Sequence, residues 1–152
     1  MQRRILVVDD QESIQYFLHK TLESEGYQVD GVGDLAGARA TLASELPDAI
    51  VLDLKLPDGS GMELLDEIRQ LEQSPPVIMM TAFGDVDSSV RAMKLGAFDY
   101  VNKPIRLEEL VSLLDRAIAD RPVRRTPEVN SGYAALFADM PGIVPSISPR
   151  ME

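Results

Sequence analysis

Ile5-Leu6-Val7-Val8-Asp9-Asp10 is a run of four apolar residues closed by two acids, and its pattern returns three times down the chain. Ala49-Ile50-Val51-Leu52 ends on Asp53, Val77-Ile78-Met79-Met80 ends on Thr81, and Phe98-Asp99-Tyr100-Val101 leads to Lys103-Pro104. A short continuous apolar run reads as a strand buried on both faces. Segments of helical period separate the runs, so the strands are expected to be parallel and to point the same way. Polar residues at their C-terminal ends then converge in one crevice at the edge of the sheet. Three carboxylates, a hydroxyl and an ammonium in one crevice suit metal-assisted phosphoryl transfer.

Outward from these runs, the helices follow from spacing. Ile14, Phe17, Leu18, Thr21 and Leu22 keep the i, i+3, i+4, i+7, i+8 pattern of an amphipathic helix that Gly26 ends. Tyr27 to Val32 reads as a further strand, and Leu35, Ala38, Leu42 and Ala43 mark a second helix stopped by Pro47. Asp53 is followed by the turn-rich Leu54-Lys55-Leu56-Pro57-Asp58-Gly59-Ser60-Gly61, then by a helix carrying Met62, Leu65, Ile68 and Leu71. Asp85 and Asp87 are candidate caps for a fourth helix with Val86, Val90 and Met93 as its apolar stripe and Gly96 as its stop. Leu107, Leu110, Val111, Leu114 and Ile118 make the fifth, which completes five βα units.

With 152 residues and 45% apolar content, one domain with a real core is expected. Residues 1–120 hold 11 Lys and Arg against 22 Asp and Glu, a net of −11. So acidic a domain repels a phosphate backbone, which argues against direct nucleic-acid binding. Zero cysteines exclude disulfides and thiolate metal sites. No apolar stretch approaches the roughly 20 residues that span a bilayer, so no membrane partner is expected. Met1-Gln2-Arg3-Arg4 runs straight into a strand without a signal-peptide core, which makes the cytoplasm the expected location. From about Asp120 the character changes, and prolines 122, 127, 141, 145 and 149 crowd the remainder. The expected division is a folded domain over 1–120 and a Pro-rich linker or tail over 121–152, with a short helix conceivable from Tyr133 to Met140.

Val8-Asp9-Asp10, Leu52-Asp53 with Leu56-Pro57-Asp58-Gly59, Met80-Thr81-Ala82 and Gly96-Ala97-Phe98-Asp99-Tyr100-Val101-Asn102-Lys103-Pro104, in that order, resemble the receiver domain of two-component response regulators over residues 4–119. The resemblance implies an α/β, flavodoxin-like, doubly wound sheet of five parallel strands in the order 2-1-3-4-5. Asp53 is then the phosphoacceptor, and Lys103 and Thr81 complete the catalytic set. Mg²⁺, a hard cation that prefers oxygen, would be held by Asp10 and Asp53, by Asp9 directly or through water, and by the Lys55 carbonyl. Thr81 and Tyr100 are the implied switch residues, and the Lys103–Pro104 bond is implied to be cis. The implied partners are a histidine kinase and, on phosphorylation, a second copy of the chain. The implied role is to control an output, transcription above all, and not to act as an enzyme on a separate substrate. Gly142-Ile143-Val144 and Ser148-Pro149-Arg150-Met151 resemble the opening of the ATPase domain in sigma-54-dependent activators of the nitrogen-regulatory type, as if an output domain were to follow. No G-x-x-x-x-G-K-[ST] loop occurs, so P-loop ATP binding by this chain is not expected.

Read singly, several of these residues have plainer meanings. Asp9-Asp10 could be a helix cap, Thr81 a buried hydroxyl bonded to backbone, and Tyr100 ordinary core. Asp58-Gly59-Ser60-Gly61 reads as a turn rather than a phosphate cradle, and His19 as a solvated surface residue. The alternatives at the level of function are a stand-alone receiver acting as a protein–protein module and a metal-dependent phosphohydrolase of similar fold. The second typically carries Asp-x-Asp after its first strand, whereas Asp9 and Asp10 are adjacent. An FMN carrier needs a hydroxyl-rich loop where this chain has Asp9-Asp10-Gln11-Glu12.

Overall fold

The structure is a computed structural model that describes residues 2–120. Its elements run β1 (Arg4–Val8), α1 (Glu12–Ser24), β2 (Gln28–Val32), α2 (Leu35–Ser44), β3 (Ala49–Asp53), β4 (Lys55–Leu56), β5 (Gly59–Ser60), α3 (Gly61–Arg69), β6 (Val77–Ala82), α4 (Val86–Lys94), β7 (Asp99–Lys103) and α5 (Leu107–Asp120). Five strands form one parallel sheet in the order β2-β1-β3-β6-β7, while β4 and β5 pair with each other as a separate antiparallel hairpin. Without that hairpin the order is the expected 2-1-3-4-5. The expected tail over 121–152 and the short helix from Tyr133 lie outside the described residues.

Alternation along the strands feeds two cores. Leu6 and Val8 of β1, Ile50 and Leu52 of β3, and Val77 and Met79 of β6 face α2, α3 and α4. Ile5 and Val7, Ala49 and Val51, and Ile78 and Met80 face α1 and α5, where Leu18, Leu22, Leu110 and Leu114 meet them. A central strand that must fill both layers has no polar position to spare, which is why the runs read as continuously apolar.

Two elements depart from expectation. β7 starts one residue later and runs to Lys103, so Asn102 and Lys103 are strand residues with Thr81↔Asn102 in register. More consequentially, α4 turns its apolar stripe outward. Val86 is 66% exposed, Val90 47% and Met93 42%, whereas Ser89 and Ala92 are buried. Small side chains let this helix lie close to β6 and β7, and the larger apolar residues are left outside. Asp85 caps α4 by accepting from the Ser88 amide at 3.1 Å, and Gly96 (φ +105°) follows its C-terminus in the left-handed conformation that spares only glycine. Smaller differences are the half-exposed Phe17 on α1 and Leu71, which lies beyond the end of α3 and is exposed. The Lys103–Pro104 peptide is cis.

Candidate functional site

Parallel strands deliver their C-terminal residues to one edge, and the polar ends collect there. β1 runs into Asp9 and Asp10, β3 ends on Asp53, and β7 ends on Lys103. Asp9 is fully buried and Asp53 7% exposed, while Asp10 faces solvent. Carboxylate oxygens of all three lie within 4.8 Å of one another. Lys103 Nζ stands 3.1 Å from Asp9 Oδ2 and 3.2 Å from Asp53 Oδ2, and donates to Gln11 Oε1 at 3.2 Å. The remaining oxygens are held by backbone: Asp9 Oδ1 accepts from the Gln11 amide and Asp53 Oδ1 from the Leu54 amide, both at 2.8 Å. An open cavity of ≈ 460 Å³ above them is lined by Asp10, Gln11, Asp53, Lys55, Phe83 and Lys103 among others.

The charges in this pocket do not balance. Burial, and then the neighbouring charge of Asp9, raise the Asp53 carboxyl above its ordinary value against the opposing pull of Lys103 and the Leu54 amide. Burial alone would lower Lys103, but its close pairing with the Asp9 and Asp53 carboxylates outweighs that and raises it. One ammonium therefore serves a cluster of three acids. Asp9 Oδ2 is buried and accepts no well-aligned hydrogen bond even with Lys103 Nζ at 3.1 Å. A set of hard carboxylate oxygens with unspent negative charge fits a small divalent cation such as Mg²⁺.

Of the sequence-predicted residues, Asp9, Asp10, Asp53 and Lys103 are brought together. Thr81 is on the adjacent strand and 1% exposed, and its hydroxyl faces other partners. Asn102 Nδ2 donates to it at 3.0 Å, and Ser89 Oγ and the Val101 carbonyl lie at 3.4 and 3.5 Å. Thr81 thus ties β6 to α4 and β7. Tyr100 is half-buried against the layer that contains α3 and α4, and the Lys55 side chain is exposed at the cavity wall. His19 is half-buried rather than solvated, with Nδ1 2.8 Å from the Gln15 carbonyl.

Sequence reasoning missed four supporting residues. Ser89 and Asn102 hold Thr81, and nothing local marks them, because their partner comes from another strand or helix. Asp58 accepts from the Leu35 and Ala36 amides at 2.8 and 3.0 Å, which caps α2 from the loop after β3 and holds its carboxyl below the usual range. Gln15 is the fourth, and its amide meets three carbonyls around Asp9. The loop itself is a turn, as its composition suggested. Ser60 caps α3 through the Met62 amide at 3.1 Å, and Gly61 packs so tightly under the end of β3 that a Cβ there would stand 2.1 Å from the Asp53 carbonyl oxygen.

Comparison with known proteins points the same way. The model of the response regulator receiver domain family matches residues 5–115. The DNA-binding transcriptional regulator NtrC of Escherichia coli strain K12 is 39% identical over 147 residues, which is 94% of this chain and 31% of that protein. The chain thus spans about a third of the length of such relatives. The receiver domain of NtrX from Brucella abortus superposes with a TM-score of 0.72 at 31% identity, covering 76% of this chain and 98% of that one. The beryllofluoride-activated NtrC4 receiver domain dimer superposes with a TM-score of 0.73 at 36% identity, covering 78% and 98%.

Proposed function

The chain belongs to the response regulator receiver domain family, in its nitrogen-regulatory branch, and on that premise we propose that Asp53 accepts a phosphoryl group from a phosphohistidine on a partner kinase. The observation that carries this reading is Asp53 itself. It is the only acid at the end of the central strand, and it shares one lysine with a second, fully buried acid. In the transfer, an Asp53 carboxylate oxygen forms the new O–P bond as the P–N bond to the kinase imidazole breaks, and the imidazole nitrogen keeps the electron pair and takes up a proton. Lys103 faces the charge that develops on the phosphoryl oxygens. Asp10, Asp53 and the Lys55 carbonyl would hold Mg²⁺, with Asp9 bound directly or through water. When bound, the ion neutralises phosphoryl charge.

Thr81 and Tyr100 are the switch in this reading. The Thr81 hydroxyl exchanges its contacts with Asn102 and Ser89 for a phosphoryl oxygen, which pulls on α4 and β7 together. The surface that responds comprises α4, β7 and α5. Its exposed Val86, Val90 and Met93 support pairing with a second copy on phosphorylation, as NtrC4 is a dimer in its activated receiver structure. Among the described residues no helix is long and apolar enough to cross a membrane, and we place the protein in the cytoplasm with its kinase. Its output would be transcriptional, through a sigma-54-type ATPase module joined by the 121–152 segment.

Intact-mass analysis after incubation with Mg²⁺ and acetyl phosphate tests the central step. The expected result is a gain of one phosphoryl group that requires Mg²⁺ and is absent from Asp53→Asn. Undiminished labelling of that variant would remove the assignment.

A further inference from the structure

The backbone turn that carries Asp9 and Asp10 is fixed by a side chain seven residues into the chain from Val8. The β1–β2 ladder ends at Val8↔Val32. Beyond that rung, the Asp9 amide donates to the Val32 carbonyl at 3.1 Å. The Gln15 side-chain amide then takes over, with Nε2 2.8 Å from the Val32 carbonyl, 3.0 Å from the Asp9 carbonyl and 3.2 Å from the Val7 carbonyl. Two protons are shared among three carbonyls, so the opposite amide orientation would set oxygen against three oxygens. The donor orientation is forced.

That orientation has a cost. Gln15 Oε1 is buried and has no hydrogen-bond partner. The fold makes room for it at Gly31, where a Cβ would lie 2.3 Å from Oε1 and 2.5 Å from the His19 ring. A buried acceptor without a partner is destabilising, and a native protein that keeps one calls for a compensating role. Asp10 supplies the role. No hydrogen bond to the Asp10 side chain occurs among the described residues, and its carboxylate faces solvent. Its position is inherited from the Asp9–Asp10 backbone, whose Asp9 carbonyl Gln15 holds. Asp9 is braced at three points: its amide by Val32, its Oδ1 by the Gln11 amide, and its carbonyl by Gln15.

We infer that Gln15 is a positioning residue for the acidic pocket, whose side-chain amide sets the Asp9–Asp10 backbone so that these carboxylates converge with Asp53 on a divalent cation. The inference rests on the reading that Asp9, Asp10 and Asp53 hold Mg²⁺. Gln15 touches neither ion nor phosphoryl group. It acts on affinity through the main chain, as partners behind the ligands of a metal site generally do, with losses of 10–100-fold on removal.

The test titrates Mg²⁺ into the ¹⁵N-labelled 152-residue chain and follows the amide resonances of Asp10, Gln11 and Leu54. Gln15→Met keeps the length and removes the donors. Gln15→Ala lets water reach the same carbonyls and serves where the methionine variant folds poorly. Tyr27→Phe loses a hydrogen bond to Asp115 at the opposite end of the sheet and controls for lost stability alone. The expected result is Mg²⁺ affinity about 10-fold weaker in both Gln15 variants, and unchanged in Tyr27→Phe. Affinity within twofold of the parent in both Gln15 variants, or an equal loss in Tyr27→Phe, would overturn the positioning role. Failure of the metal reading looks different. The parent itself would then give no saturable shift, or one that persists in Asp10→Ala, and the inference would fall with it.

Discussion

Asp53 carries its charge against its surroundings, since burial and then the Asp9 charge raise its carboxyl above the ordinary value. A raised folded-state value means that the folded protein holds its proton more tightly than the unfolded chain. Stability therefore rises as pH falls through that value, and at pH 7 the ionised Asp53 is a net cost. Asp53→Asn in chelator is accordingly expected to raise Tm at pH 7, with the gain shrinking toward pH about 4, close to the ordinary carboxyl value and so below the raised one. Thermal melts at both pH values check this, and a lower Tm at pH 7 would contradict it. On the proposed role of Asp53, two other side chains at the cavity wall are expected to set how long a phosphoryl group there lasts. Hydrolysis needs a water aligned on phosphorus opposite Asp53, and neither Lys55 nor Phe83 offers a carboxylate or amide to orient one. Lys55→Asn with Phe83→Glu is expected to shorten the acyl-phosphate half-life about tenfold or more, short of the roughly 100-fold at which fully positioned acid–base groups begin. Equal decay by phosphate release would reject that. The acids and Lys103 were legible one residue at a time because each closes an apolar run. Gln15, Ser89, Asn102 and Asp58 were not, because a lone amide or hydroxyl gains its meaning only from the groups placed opposite it.

At the scale of elements, α4 shows where periodicity misleads. Val86, Val90 and Met93 keep helical spacing, and the usual inference is that such a stripe faces the core. The inward face is instead Ser89 and Ala92, with Ser89 Oγ donating to the Asp85 carbonyl and lying beside Thr81. The same helix therefore joins the edge that carries the acidic pocket on one side to an apolar outer face on the other. Val90→Glu changes an exposed position, so its effect on stability is expected to stay within about 0.5 kcal/mol. It is also expected to abolish dimerisation with beryllofluoride and Mg²⁺, because a charge in an apolar contact is left unpaired. Sedimentation velocity on parent and variant reads the outcome, and an unimpaired dimer would move the interface elsewhere. The hairpin of β4 and β5 escaped sequence reading because two-residue strands carry no period. Its turn chemistry, with Gly59 at φ +151° against Leu35, was visible all the same.

Taken whole, the molecule gathers its acidic pocket from residues 9, 10, 53 and 103, and an unfolded chain has no such site. A cation that binds only the folded state stabilises it by mass action, by about 2.7 kcal/mol at 100 times Kd. Melting temperature is thus expected to climb with the logarithm of Mg²⁺ concentration in the parent and to stay flat in Asp10→Ala. An equal climb in both would place the ion somewhere other than this pocket. The parallel sheet and the acids gathered at its C-terminal edge were legible in the sequence alone. Apolar runs, helical spacing and turn residues are local signals, and parallel strands leave polar ends only one edge to share. Tertiary structure alone decided which face of α4 turns inward, that Lys103 bridges Asp9 and Asp53, and that Gln15 braces the turn between the first acids. Each of those depends on distances between segments far apart in the chain, and close packing at a crossing favours small side chains over large apolar ones whatever their spacing.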